Sequence, residues 1–326
     1  MSLLEGAPLP SFGPIGSGLS GESRRIEAGT DLCRVDLHVH TRHSGGGHLR
    51  VPRLRRGLPE PEGLYRAARE RGLNLVTFTD IDTLDGCLAF LQRHPDASDF
   101  FVSEEVRATE PRTRARIGVL VYGLSETDHR ELMSLKGDVN DVAEYARGAG
   151  LLASLGSVLG VLEAGGSEGL VRDLVNRFDL FEIRNGAEDR ACNELMARLV
   201  HEGAGYGFGV TAGSNTHTTA RIGRAVTVAR ATGVAGFLGA MRGHRTWAMG
   251  LHGDVWSSFA EVLGNVPLHR AAAPLLGHAV THARRTARAR RAKKRLDQID
   301  VRKFREKARS FGVSDRGSRP RPEDAR

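Results

Sequence analysis

The feature that most restricts the fold is a recurrence. From Arg34 onward, short apolar runs alternate with segments of helical period. The runs span 35–40, 73–79, 100–106, 117–122, 151–155, 180–184 and 206–211. Helical patterns fall at 61–71, 139–147, 171–178 and 189–200. Strand and helix alternating in this way imply parallel strands joined by crossover helices, hence an α/β barrel or a doubly wound sheet. Strand ends on one rim then bring residues distant in sequence into one site. One more helix at 234–241 and an apolar run at 247–251 complete a domain expected over 31–255.

The flanks have a different character. Residues 1–30 are rich in Gly, Pro and Ser and read as a flexible leader. Within them Gly16, Gly18 and Gly21 match a GxGxxG pattern, a phosphate-binding signal only between a strand and a helix. Pro8, Pro10 and Pro14 precede it, so the linker reading is preferred. Residues 256–310 form a basic extension, Ala/Arg/Lys-rich and helical from 278, and 311–326 are expected to be disordered.

Charge separates the two parts. Of 47 Lys+Arg and 39 Asp+Glu, 17 and 6 fall within 284–326, a local +11 against the chain's +8. The rest is therefore −3, and the basic character is a property of the tail. Such a tail fits a polyanion such as nucleic acid, an anionic membrane surface or an acidic protein, including this chain's own body. A solvated helix is the alternative. Phe304 and Phe311 are the aromatics of that stretch, too few for base stacking. Cys33, Cys87 and Cys192 are scattered and odd in number, which excludes a disulfide framework and implies a reducing compartment. The longest uncharged run, 148–162, is too short for a transmembrane segment. The start carries no basic, apolar secretory pattern. A cytoplasmic location is expected.

Chemistry is concentrated at run ends. In Asp36-Leu37-His38-Val39-His40-Thr41-Arg42-His43-Ser44, strand geometry directs His38 and His40 to one face. Two imidazoles on one rigid segment suit zinc, manganese or iron. Companions follow: Asp80 in Thr79-Asp80-Ile81-Asp82, then Glu104 and Glu105 within an apolar run, of which only one can face inward. A buried carboxylate there requires a partner or a metal. Asn215 and His217 follow the seventh run in Gly213-Ser214-Asn215-Thr216-His217. For Asp82 and Asp85, helix capping is at least as good a reading as catalysis.

Together DLHVHTRHS, TFTDIDTLDG, SEEV, FEIRNG and GSNTHTTARIGRAVT resemble the PHP (polymerase and histidinol phosphatase) superfamily over about residues 34–229. The resemblance implies a distorted (β/α)7 barrel with up to three metals at its C-terminal rim, hydrolysing phosphoesters. It makes His38, His40, Glu105, Asn215 and His217 metal ligands and Asp80, Glu105 and Arg42 catalytic residues. Asp80 would orient a ligand or act as general base, and Arg42 would meet phosphate. Glu104 becomes the outward-facing neighbour. Four positions depart from the family pattern: Ile81, Gly118 and Ser154 stand where histidines are usual, and Asn215 where an aspartate is. The implied site is therefore a reduced one, with fewer than three divalent ions (Zn, Mn or Fe) down to none. Two functions follow: a metal-dependent phosphoesterase acting on a phosphorylated small molecule or on nucleotide or nucleic-acid phosphate, or a catalytically inactive PHP-like scaffold whose tail engages a partner.

Overall fold

In a computed structural model, residues 32–45, 58–203 and 207–253 are described. The leader at 1–30, the extension at 256–310 and the tail at 311–326 lie outside them. The described residues form a mixed α/β fold. Strands β1 (Leu32–Val35), β7 (Ala225–Arg230) and β8 (Thr246–Gly250) make an antiparallel sheet in the order β1-β7-β8. Strands β2 (Ser103–Thr109), β3 (Arg116–Tyr122), β4 (Leu152–Leu155), β5 (Leu180–Asn185) and β6 (Gly209–Gly213) make a second sheet in sequence order.

The isolated bridges of segments 36–41 and 76–81 are parallel, and among the ladders of the described residues parallel pairing holds only for β4–β5–β6. Their connections carry α5 (Leu159–Glu163), α6 (Glu168–Val175) and α7 (Arg190–Gly203), as crossovers require. The pairs β2–β3 and β3–β4 are antiparallel, contrary to the all-parallel expectation. The physical reason at β2–β3 is length. Residues 110–115 are too few for a crossover, and Glu110 folds them into a turn by accepting from the Arg112 and Thr113 amides.

Two expected strands form no ladder. Segment 36–41 and segment 76–81, the extended part of 74–82, touch their neighbours through isolated bridges, Val39 with Thr216, Val76 with Phe100 and Ile81 with Glu105. Main-chain bonds nevertheless stitch them in. The Thr79 amide donates to the Val39 carbonyl at 2.7 Å, Asp82 to Glu105 at 2.9 Å, Leu37 to Ala212 at 3.4 Å and His40 to Thr216 at 3.0 Å.

The helices obey local rules. In α1 (Pro61–Glu70), proline opens the first turn, where its missing N–H costs nothing. Ser125 and Asp128 close a capping box on α3 (Glu126–Leu135), and Asp138 and Ser167 cap α4 (Val139–Gly148) and α6. For α2 (Asp85–Arg93) no side chain caps the start, so neither Asp82 nor Asp85 has that role. Asp82 instead accepts from the Arg107 amide at 2.8 Å and pairs with Lys136 at 3.0 Å.

Strand alternation sorts the core. On β3, Ile117, Val119 and Val121 face helices α3 to α7, while Leu120 and Tyr122 face the opposite way. That second face meets Leu37, Phe101, Leu152 and Leu180, and is plugged by Phe237, Ala240 and Met241 of α8 (Gly233–Arg242). A third cluster wedges Phe78, Phe90 and Phe100 among Leu64 and Ala68 of α1. No helix among the described residues is long and apolar enough to cross a membrane.

Candidate metal centre

His38 and His40 come from the extended segment after β1, and Glu105 from β2. All three are buried, and their ligand atoms lie within 4.8 Å of one another. Glu105 Oε2 is 3.6 Å from Nε2 of His38 and 3.6 Å from Nε2 of His40. These separations exceed hydrogen-bond reach, so three buried donors converge without satisfying each other. His38 Nε2 has no hydrogen-bond partner at all. An orphaned imidazole nitrogen beside a second imidazole and a carboxylate fits a divalent cation with nitrogen and oxygen preferences.

The segment can approach β6 closely because Gly213 has no side chain; a Cβ there would collide with His38. The late loop also reaches the cluster. Asn215, in the left-handed region at φ 48°, brings its Oδ1 to 3.2 Å from His40 Nε2. His217 stacks on His40 with centroids 4.6 Å apart. On the other side of the His40 ring, Ser44 Oγ lies 3.3 Å from Nδ1.

Glu182, for which the sequence reading had no role, completes the arrangement. This buried β5 carboxylate sits 2.8 Å from His38 Nδ1 through Oε1, and its Oε2 accepts from Asn185 Nδ2 at 2.8 Å. Asn185 is itself held by Asn193, whose Oδ1 accepts from its amide at 2.7 Å. A carboxylate behind a ligating histidine fixes its tautomer and ring orientation. Its signal in the sequence is an acid between Phe181 and Ile183 inside a predicted strand, akin to the carboxylates of Glu104 and Glu105 within theirs.

The electrostatics follow from burial and neighbours. Burial works against charge on His38, but Glu182 and Glu105 outweigh it and push the imidazole up to about 10. His40 goes the other way, held well below its ordinary value by burial and then by His217, His38 and Arg107. Burial favours the neutral form of Glu105, yet His38, Arg107 and His217 together hold its carboxyl below the usual range. His40 is thus neutral and could ligate as it stands, whereas His38 would have to give up a proton to bind a cation.

Other expected residues fall elsewhere. Asp80 is buried and accepts from the Thr41 amide and hydroxyl, both at 2.6 Å, so it shapes the segment after His40. Arg42 is half exposed and paired with Glu60. Glu104 does face away from Glu105, but it is fully buried, because its face of β2 is covered by helices; His129 Nδ1 meets it at 2.7 Å. At the four departures, Ile81 is buried and apolar, Ser154 Oγ is bound to Thr211 Oγ1 at 2.7 Å, and Gly118 lies against Glu105. Only Asn215 offers a donor atom to the cluster.

Asp80 yields a prediction. Burial raises its carboxyl to about 7 against the opposing pull of Thr41. A raised carboxylate binds its proton more tightly when folded, so its contribution to stability is complete below the unfolded value of about 4 and is lost as pH rises through 7. Asp80→Asn should flatten the decline of Tm between roughly pH 4 and pH 8. A melting series showing the same slope in both proteins would contradict this.

No family model matches the chain. A segment is 32% identical over 53 residues to an uncharacterized protein of Methanocaldococcus jannaschii, covering 16% of this chain and 31% of that protein. The match thus spans about a third of the length of that curated relative. Among solved structures, the chain is similar to an amidohydrolase from Chromobacterium violaceum with bound sulfate and no metal, at TM-score 0.42 and 15% identity, over 58% of this chain and 89% of that one. It is similar to PsfC from Pseudomonas syringae at TM-score 0.45 and 13% identity, over 67% and 91% of the two chains. It is also similar to a two-domain protein from Bacteroides vulgatus containing a predicted PHP-like metal-dependent phosphoesterase, at TM-score 0.49 and 13% identity, over 68% of this chain and 65% of that one.

Proposed function

We propose that this chain is a PHP-type, metal-dependent phosphoesterase with a reduced metal site, built on a distorted (β/α)7 barrel. The observation that carries the reading is the convergence of His38, His40 and Glu105, buried and within 4.8 Å, with His38 Nε2 left without a hydrogen-bond partner. The barrel description rests on the chain of main-chain bonds from segment 36–41 through segment 74–82 to β2, and from β6 back to segment 36–41. The order of motifs from DLHVHTRHS to GSNTHTTARIGRAVT supports the family.

His38, His40 and Glu105 would hold one divalent ion, with the Asn215 carbonyl oxygen beside His40. Such an ion supplies Lewis acidity and lowers the pKa of bound water for attack on a phosphoester. The chain's own residues set the geometry. Glu182 keeps the Nδ1 proton of His38 in place and leaves Nε2 facing the cluster. His217 lies flat against His40 and restricts its ring. Asp80 acts through Thr41 as a positioning residue. Sites for further ions lack donors at Ile81 and Gly118, and Ser154 is engaged by Thr211.

Elemental analysis of the purified full chain, with hydrolysis of an aryl phosphoester in Mn²⁺ or Zn²⁺, tests this. About one ion per chain and metal-dependent turnover are expected. The scaffold reading would take over if metal stays below about a tenth of an ion per chain and no turnover appears.

A further inference from the structure

The two oxygens of the Glu105 carboxylate face different positive centres. Oε2 addresses the histidine pair at 3.6 Å. Oε1 lies 3.8 Å from a guanidinium nitrogen of Arg107. Arg107 is two residues along β2 from Glu105, hence on the same face. Directly across the ladder from Arg107 stands Gly118. A Cβ at Gly118 would come within 2.5 Å of Glu105 Oε1. The missing side chain therefore leaves room for the carboxylate to turn toward both the histidines and the arginine.

Glu105 is the ion-pair partner of the Arg107 side chain among the described residues, and at 3.8 Å the contact is too long to use its directional donors. The side chain is 19% exposed, enough for a ligand to reach it from the rim. Its charge also bears on His40, which it helps hold neutral. A second positive centre thus stands beside the first, joined to it by one carboxylate.

Two-ion sites stabilise the attacking and leaving oxygens of a phosphoryl transfer and neutralise the phosphate between them, and the second of these tasks needs only a positive charge. Here the donors for a second ion are missing, and a guanidinium stands at the oxygen such an ion would share. Its planar fork matches two oxygens of a phosphate, and it needs no ligands of its own. We propose that Arg107 takes the place of a second ion, binding the non-bridging oxygens of a substrate phosphate beside the His38–His40–Glu105 centre. This rests on the metal reading given above.

The test uses the full chain, Arg107→Gln and Arg107→Lys, with inorganic phosphate as probe, titrated calorimetrically with and without Mn²⁺, and metal per chain measured in parallel. Removing a charge-assisted bond predicts a loss of phosphate affinity of roughly 10- to 100-fold in Arg107→Gln, with Arg107→Lys between it and wild type. Metal per chain should be unchanged, since the arginine repels the ion; a merely structural role for Arg107 would lower both and would refute the clamp. Phosphate affinity within about twofold of wild type in Arg107→Gln, at full metal occupancy, overturns the proposal while leaving the metal reading intact. Two or more ions per wild-type chain would also overturn it, because the place would then belong to a metal. If wild type binds no metal but phosphate binding still depends on Arg107, the phosphoesterase reading fails and the anion-binding role of Arg107 stands.

Discussion

Replacing both His38 and Glu105 by alanine is expected to bring bound metal below about a tenth of an ion per chain, since two of three ligands are gone. Hydrolysis should fall on the order of a thousandfold, because Lewis-acid stabilisation of the transition state is worth several kcal/mol. The loss needs a control for folding. In the metal-free protein the carboxylates of Glu182 and Glu105, 2.8 Å and 3.6 Å away, favour the protonated form of the buried His38. Deleting one side of such a group leaves uncompensated buried charge and costs several kcal/mol. The His38→Gln/Glu105→Gln pair preserves volume and hydrogen-bonding capacity, and should lose metal and turnover with a smaller change in Tm. Retention of stoichiometric metal in either double variant, by elemental analysis, would show that the ion sits elsewhere.

Glu182→Gln is the second large effect. The amide removes the charge, and its single carbonyl oxygen can accept from His38 Nδ1 or from Asn185 Nδ2 but not from both. Loss of a carboxylate behind a metal-bound histidine lowers metal affinity by roughly 10- to 100-fold. It should also bring the His38 imidazole down from about 10, since Glu182 is the first-ranked influence raising it against burial. The sign follows directly: with a carboxylate gone, the protonated ring loses its partner and burial has more weight. Chelator competition measures the affinity, and imidazole NMR titration of the metal-free protein measures the proton. An unchanged metal affinity with a shifted imidazole would mean that Glu182 only stores charge and does not orient the ligand.

Much of the architecture was legible because it depends on local chemistry. Apolar runs at 117–122, 151–155 and 180–184 coincide closely with β3, β4 and β5, and the helical patterns at 61–71 and 139–147 with α1 and α4. Others were missed. Strand β7 and helices α2, α3 and α5 are not among the elements the pattern predicts, and the two extended segments bearing His38, His40 and Asp80, predicted as strands, pair only through isolated bridges. Strand direction was misjudged at β2–β3, where the turn built on Glu110 reverses the chain. Apolar period reports burial, and burial is the same for a parallel and an antiparallel strand.

At the site, the spacing of His38 and His40 along an extended segment, and of Glu104 and Glu105 along β2, was determined by sequence alone. So was the absence of donors at Ile81 and Gly118, which no fold can supply. Tertiary structure decided the rest. It chose Glu105 over Glu104 by placing one face of β2 toward the histidines and the other under the helices, against His129. It brought Glu182, 144 residues away in sequence, behind His38, and it set Arg107 opposite the vacant face of Gly118. Sequence encodes which groups a chain carries and their local spacing. Which groups share a few ångströms is a property of strand register and of close approaches such as that at Gly213, and these exist only once the chain is folded.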